Sequence, residues 1–223
     1  MRVPCLVVDH DDTVVDSTAQ VHYPCFVEYT ARYFPGYRCT LEEYFEKNFD
    51  PGVVAFFRDE VGMSEEQMRH EQEYWREYVC HHVPRAYEGI SEVLWRQKRE
   101  GGLVCVVSHS YSEHILRDYR ENGLPEPDLV FGWDSPPEKR KPSPWPLERI
   151  MERFSLRPEE LLVLDDLKPG YDMAAALGVP FAAAGWANDI EKIERFMRAS
   201  CRLYFGTVRA LYEYLWGEGE GRT

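Results

Sequence analysis

Short apolar runs alternate with amphipathic stretches at the start of the chain and again after residue 87. The runs are rich in β-branched and small apolar residues and are too short for helices, which predicts strands buried on both faces. They lie at residues 3–8, 103–107, 129–131, 161–164, 180–184 and 202–205. Between them, apolar residues recur at helical spacing, as Ile90, Val93 and Leu94 do. This alternation predicts an α/β fold with a doubly wound, Rossmann-like parallel sheet.

Residues 17–87 follow a different pattern, with apolar residues at helical spacing and no strong strand. Two helix starts in this segment are marked by capping boxes, Thr40 with Glu43 and Ser64 with Gln67. We therefore expect a mainly helical segment between the first and second strands of the sheet.

Helix boundaries later in the chain follow from polar residues and glycines. Ser112 predicts the N-cap of a helix that ends near Asn122-Gly123. Another helix is expected over residues 172–177, ahead of Gly178.

Polar side chains follow three of the predicted strands at the point where each strand ends. Asp9 follows the first strand, Ser108 the second, and the pair Asp165-Asp166 the fourth. In open α/β sheets this edge is where ligands bind. The sequence therefore predicts a functional site at the carboxyl edge of the sheet.

Asp9 and Asp11 are two residues apart directly after the first strand. In an extended continuation, side chains two residues apart point the same way, so both carboxylates can face one ligand. Two carboxylates that repel each other favour a cation beside them, and a hard ion such as Mg²⁺ suits oxygen ligands.

Composition and charge exclude several classes of partner. The net charge is −13, the pI is about 5.0, and no basic run could form a nucleic-acid surface. No apolar stretch approaches ~20 residues and no signal peptide is evident, so we expect neither a membrane span nor secretion. The six cysteines contain no CxxC pair, which favours reduced thiols and a cytoplasmic location.

Four motifs together resemble those of the haloacid dehalogenase (HAD) superfamily. The run VVDHDDTVVDS resembles the first motif, D-x-D-x-T, and Ser108 in VCVVSHS resembles the second. Lys141 in KPSPWPL resembles the third, and VLDDLKPGYDMAAALG resembles the fourth. The motifs occur in the order of the family, and the resemblance covers most of residues 1–17 and 88–210.

The resemblance implies a role for each motif residue. Asp9 would attack phosphorus and form an aspartyl-phosphate, and Asp11 would protonate the leaving oxygen and then activate water. Ser108, His109 and Lys141 would hold phosphate oxygens.

The resemblance also implies a Mg²⁺ cofactor. Its ligands would be Asp9, the backbone carbonyl of Asp11, and Asp166, with Asp165 beside them as a ligand or in the next shell.

The helical segment corresponds to the cap of subfamily I within this resemblance. The implied domains are a catalytic core of residues 1–16 and 88–223 and a helical cap of residues 17–87 that closes over the site. Asp12 departs from the family pattern, since many relatives have Gly there, and His109 stands where Asn is commoner. Further candidates for substrate contacts are His10, His22, Lys47, Asn48 and Arg58.

The resemblance implies a phosphoric monoester hydrolase of the phosphoglycolate-phosphatase-like type. Asp11 disfavours a dehalogenase, because a halide needs no proton to leave. The expected substrate is a small phosphorylated metabolite. We expect the protein to be a monomer or homodimer and to bind neither nucleic acid nor a membrane. Two alternatives stay open: a sugar phosphomutase of the same subfamily, and a non-catalytic HAD-like regulatory or binding protein.

Overall fold

A six-stranded parallel sheet forms the centre of the protein, whose computed structural model describes residues 3–217. The strands are β1 (Cys5–Val8), β2 (Leu103–Val107), β3 (Leu129–Phe131), β4 (Leu161–Asp165), β5 (Phe181–Ala184) and β6 (Leu203–Phe205). Their order across the sheet is β3-β2-β1-β4-β5-β6. All six predicted strands are present, and the predicted α/β doubly wound fold is confirmed.

The described part of the chain contains ten α-helices. They are α1 (Tyr23–Tyr33), α2 (Leu41–Phe49), α3 (Val53–Ala55), α4 (Glu65–Cys80), α5 (Ile90–Arg99), α6 (Ser112–Glu121), α7 (Trp145–Phe154), α8 (Lys168–Ala175), α9 (Glu191–Ser200) and α10 (Val208–Trp216). Two π-helical segments, Thr18–His22 and Phe56–Val61, precede α1 and follow α3.

Alternate residues of the central strands face two separate hydrophobic clusters. In β1, Leu6 and Val8 belong to one cluster, while Cys5 and Val7 belong to the other. Helices α5, α6 and α10 contribute to the first cluster, and α7, α8 and α9 to the second. Because both faces are covered, the central strands consist of continuous apolar residues, which is the pattern that identified them.

The strand order reverses at β1, which lies between β2 and β4. Val8 is level with Val106 of β2 and Leu164 of β4. The residues that follow these strands therefore meet at one edge, at the topological switch point where such sheets bind ligands.

Residues of the helical segment between β1 and α5 form a third cluster of their own. Phe26 and Tyr29 of α1 pack there with Phe56, Phe57 and other apolar residues from the same segment. Phe45 and Phe49 of α2 instead belong to the second cluster, on the face of the sheet covered by α7, α8 and α9. A separate cluster agrees with a cap. The bounds of the cap, residues 17–87, stay a prediction. Residues 1–2 and 218–223 of the predicted core lie outside the described residues.

The predicted helix starts were right at some positions and wrong at others. Both capping boxes, at Thr40 and Ser64, are present. Ser112 is not an N-cap: it is the first residue of α6, and its hydroxyl donates to Asp134 Oδ1 at 2.7 Å. A contact from a distant loop thus replaces the local cap. Helix α8 also begins at Lys168, four residues before the predicted start.

The sequence predicts reduced cysteines and no membrane span. All six cysteines lie in the described range and are free thiols. None of the helices within residues 3–217 has the length and apolar character needed to cross a membrane.

Truncating Phe56 should loosen the helical segment and leave the sheet intact. Its ring is fully buried in the third cluster, so Phe56→Ala should cost about 3–5 kcal/mol in that segment. Hydrogen exchange should show faster exchange of α4 amides and unchanged protection of β1 and β4. The control is Val54→Ala, since Val54 is 49% exposed. Equal loss of protection in β1 and β4 would contradict a separately packed segment.

Candidate active site

A buried lysine joins two of the predicted carboxylates. Lys141 Nζ donates to Asp9 Oδ1 at 2.8 Å and to Asp165 Oδ2 at 2.7 Å, and all three side chains are almost inaccessible to solvent. Burial raises the pKa of Asp9 to about 7, with Lys141 opposing the shift and Asp165 adding to it. Burial alone would lower the pKa of Lys141, but the two carboxylates outweigh it and raise that pKa.

The turn after β4 holds Asp165 in place from both sides. Its Oδ1 accepts a hydrogen bond from the backbone N–H of Leu167 at 2.9 Å. A Cβ at Gly170 would lie 2.1 Å from Asp165 Oδ2, so only glycine allows α8 to pass this close to the carboxylate. Asp165 therefore has a partner on each oxygen.

Three carboxylates at the sheet edge could hold a metal ion. Ligand oxygens of Asp9, Asp165 and Asp166 lie within 4.8 Å of one another, and all three residues are buried. Thr13 Oγ1 donates to Asp166 Oδ1 at 3.2 Å. Burial, followed by repulsion from Asp12 and Asp165, raises the pKa of Asp166 well above its usual range. An all-carboxylate donor set that repels itself fits a hard divalent cation.

The Asp11 carboxylate is not part of this group of three and is hydrogen-bonded to two hydroxyls of the loop after β2. Its Oδ2 accepts hydrogen bonds from Ser110 Oγ at 2.7 Å and from Ser108 Oγ at 3.2 Å. Its Oδ1 accepts from Ser17 Oγ at 2.8 Å and lies 2.8 Å from His22 Nε2. Burial would raise the pKa of Asp11, but His22 and the hydrogen bonds outweigh it and hold that pKa well below its usual range.

His22 links Asp11 to helix α4. Trp75 Nε1–H donates to His22 Nδ1 at 3.0 Å, and His22 Nε2 faces Asp11. Burial lowers the pKa of His22, but Asp11 raises it by more. Because an indole N–H can only donate, this contact requires the tautomer with its proton on Nε2, which then donates to Asp11. A residue of the predicted cap thus contacts the candidate acid directly.

Asp12 departs from the family pattern for a backbone reason that the structure supplies. Its φ is +58°, in the left-handed region that Gly, Asn and Asp tolerate best. Its buried carboxylate accepts a hydrogen bond from the Thr18 backbone N–H at 3.0 Å. Asp therefore serves here as well as Gly, and it fixes the start of the helical segment.

The two candidate phosphate-binding residues after β2 already have partners. The Ser108 hydroxyl donates to Asp11 and accepts from the Ser110 N–H at 3.0 Å. His109 Nε2 lies 3.1 Å from the Lys141 carbonyl oxygen, to which it donates. Burial and the charge of Lys141 lower the pKa of His109 to about 4, so its ring is neutral. Its ring therefore anchors the loop that contains Lys141, and its phosphate contact stays a prediction.

Several other candidates lie away from the site. His10 is buried on the opposite side of its strand end, with Nε2 3.0 Å from Asp118 Oδ2. Lys47 pairs with Glu60 and Arg58 with Asp59, on the surface. A cavity lies between the carboxyl edge of the sheet and the helical segment. Asn48 and His22 line this cavity, whereas His10, Lys47 and Arg58 do not, because their side chains pair with other residues.

Sequence reasoning missed Ser110, Ser17 and Glu71. Ser110 lies two residues after Ser108, and the same spacing that put Asp9 and Asp11 together could have found it. Glu71 is a buried acidic residue on α4, within the apolar stripe formed by Met68, Trp75 and Val79. An acidic residue in the apolar face of a helix is unusual and could have marked Glu71 as a candidate functional residue.

The chain is similar to several known proteins. The chain is 24% identical to the pyrophosphatase PpaX of Halalkalibacterium halodurans over 190 residues, covering 84% of this chain and 86% of that protein. It is 36% identical to the phosphoglycolate phosphatase of Nitrosospira multiformis over 98 residues, covering 42% and 41%. A solved haloacid dehalogenase-like hydrolase from Streptococcus pneumoniae has the same fold, with a TM-score of 0.77, 15% identity and coverage of 96% and 99%.

The family model of haloacid dehalogenase-like hydrolases matches residues 6–184, which is well over half of the chain and includes every motif described above. With the six-stranded sheet and the acidic site at its switch point, this match makes the chain a member of the haloacid dehalogenase-like hydrolase family.

Proposed function

We propose that this enzyme is a Mg²⁺-dependent phosphatase that hydrolyses a small phosphorylated metabolite through an aspartyl-phosphate. The observation that supports this most is the arrangement of the buried Asp9, Asp166 and Lys141 with the partly buried Asp11 at the switch point of the sheet. The nucleophile, the general acid and the metal ligands would then all lie within reach of one phosphoryl group.

Asp9 is the proposed nucleophile. Its carboxylate oxygen forms a bond to phosphorus while the bond from phosphorus to the alcohol oxygen breaks, and Asp11, which must first take up a proton against its lowered pKa, donates that proton to the alcohol oxygen. Asp11 then takes a proton from a water molecule that attacks phosphorus, which frees inorganic phosphate and restores Asp9. The hydrogen bonds from Ser17, Ser110 and His22 hold the Asp11 side chain for both transfers.

Lys141, Ser108 and His109 are proposed to bind the phosphate oxygens. The Lys141 ammonium offsets negative charge that would otherwise repel a dianionic ester. Ser108 can turn its hydroxyl from Asp11 to the substrate, since Ser110 also bonds that carboxylate.

The proposed metal ligands are Asp9, Asp166 and the backbone carbonyl of Asp11, and Asp165 lies beside them. Both oxygens of Asp165 have partners, which favours a role behind the direct ligands. Bound there, Mg²⁺ would offset the charge of the carboxylates and of the phosphate group.

The alternatives differ in what receives the phosphoryl group. A sugar phosphomutase would return it to a sugar, and a requirement for a bisphosphate activator would identify one. A pure binding protein has no need of Asp9, Asp11, Lys141 and Asp166 together. The names of the relatives suggest phosphoglycolate and pyrophosphate as first compounds to test. A cytoplasmic location, proposed from the reduced cysteines, would suit such metabolites.

Replacing the nucleophile should abolish phosphate release. Asp9→Asn should lower kcat/KM at least about a thousandfold, because an amide cannot form the phosphoenzyme. Phosphate release from a panel of phosphorylated metabolites, with Mg²⁺ or with EDTA, measures this. Asp172→Asn is the control, since Asp172 pairs with Lys168 near the surface. Equal activity of Asp9→Asn and the unaltered enzyme would rule out Asp9 as nucleophile.

Mg²⁺ should stabilise the protein only when Asp166 is intact. At a hundred times its Kd, a ligand adds about 2.7 kcal/mol of stability. Without metal, Asp166→Asn should melt higher than the unaltered protein at neutral pH, because the raised pKa of Asp166 means that its ionisation opposes folding.

Thermal melts with Mg²⁺, with EDTA and with NaCl at equal ionic strength give the comparison. An equal gain from Mg²⁺ in both proteins would refute the assignment of Asp166 as a ligand.

A further inference from the structure

A cavity of about 510 Å³ lies between the helical segment and the carboxyl edge of the sheet. Asp11, Asp12 and Asp166 form its floor, and side chains of α2 and α4 form its roof. Sites for small organic ligands typically have ~300–1,000 Å³, so this volume exceeds what a phosphate group needs. The remaining space is available to the group that leaves with the alcohol oxygen.

Glu71 is a buried carboxylate without a partner that lines this cavity. Only 9% of it is exposed, and within residues 3–217 no side chain or backbone group donates a hydrogen bond to it or pairs with it. On the same face of α4, Gln72 bonds to Tyr111 and Trp75 bonds to His22. Burial raises the pKa of Glu71 to about 7. The Glu71 oxygens are not among the fully enclosed side-chain atoms that lack a partner, so they open to the cavity, where a bound donor can reach them.

The charges around the cavity disfavour a second anion. Its lining includes Glu71 as well as the acids of the floor, and Glu65 and Arg69 are both exposed at its rim. Arg69 is the one Lys or Arg among the described lining residues, and His22, whose pKa is raised, already faces Asp11. The carboxylate of phosphoglycolate or the second phosphate of pyrophosphate would share this cavity with Glu71 and the acids of the floor. The roof therefore does not match the substrates for which those relatives are named.

Aromatic rings line the same cavity as Glu71. They belong to Tyr44, Phe57, Trp75 and Trp133. Aromatic faces beside a carboxylate attract organic cations, through both the ring quadrupole and a charge-assisted hydrogen bond.

We infer that the substrate is a phosphate monoester whose alcohol bears a cationic amine on an apolar body, and that Glu71 binds the amine. This inference rests on the proposed phosphatase function and specifies its substrate class. Glu71 is then a specificity-determining residue, remote from the phosphorus.

Two matched sets of esters test the inference. The short set is phosphoethanolamine, ethyl phosphate and phosphoglycolate; the long set is phosphotyramine, para-ethylphenyl phosphate and para-(carboxyethyl)phenyl phosphate. Within each set only the end remote from phosphorus changes, from amine to neutral group to carboxylate. In at least one set, kcat/KM should be about tenfold or more higher for the amine than for the neutral ester, as expected of a charge-assisted hydrogen bond. The carboxylate ester should be the poorest.

Glu71→Gln should reduce the ratio of amine to neutral ester to near one and leave kcat/KM for the neutral ester within a few-fold. Glu73→Gln, at an exposed position of the same helix, should keep the original ratio. A preference for the carboxylate ester, or for the neutral ester, would overturn the inference, even if Glu71→Gln failed to fold. An amine preference that persists in Glu71→Gln would overturn the assignment of Glu71.

The proposed function and this inference fail in different ways. Hydrolysis of the neutral esters without an amine preference leaves the phosphatase intact and rejects the inference. If none of the esters is hydrolysed, the proposed function loses its support, and calorimetry with tyramine and ethanolamine tests Glu71 by itself. Binding that is lost in Glu71→Gln supports the cation site, whereas no binding, or equal binding, rejects it.

Discussion

One buried ammonium group, that of Lys141, balances the acidic end of the sheet. It bonds Asp9 and Asp165 at once, yet Asp12 and Asp166 are buried close by and also carry carboxyl groups. Burial and mutual repulsion raise the pKa values of Asp9, Asp12 and Asp166 together. Such an excess of buried acid is relieved either by protons or by a bound cation. This charge balance is the physical argument for the proposed metal site.

The parallel sheet determines where this excess charge lies, and the helical segment determines what reaches it. The ends of β1, β2 and β4 bring Asp9, Ser108 and Asp166 to one edge because their strands are in register. From the opposite side, Trp75 and His22 form a hydrogen-bonded line that ends on Asp11. Movement of the helical segment would therefore break a contact of the proposed acid, so chemistry and access to the site are physically connected.

Local patterns predicted the fold because buried parallel strands are continuous apolar runs, and they predicted Asp9, Ser108 and the pair Asp165-Asp166 because these residues lie at strand ends. Lys141, ten residues after β3, was identified only by the family resemblance. Contacts between distant segments were beyond such patterns. Ser112 has the chemistry of an N-cap, but Asp134 from another loop binds its hydroxyl. The contact of His22 with Asp11 depends on how a π-helical segment turns after β1, which spacing does not reveal. The role of Asp12 depends on its positive φ.

Trapping the phosphoenzyme would test the central claim most directly. para-Nitrophenyl phosphate needs no acid to release its alcohol, so Asp11→Asn should still be phosphorylated but should lose water activation and accumulate the intermediate. After an acid quench, mass spectrometry of peptides from the Mg²⁺-treated variant should find one added phosphoryl group on Asp9, and none when Asp9→Asn is also present. Release of phosphate with no labelled peptide, or with the label on another residue, would contradict covalent catalysis by Asp9.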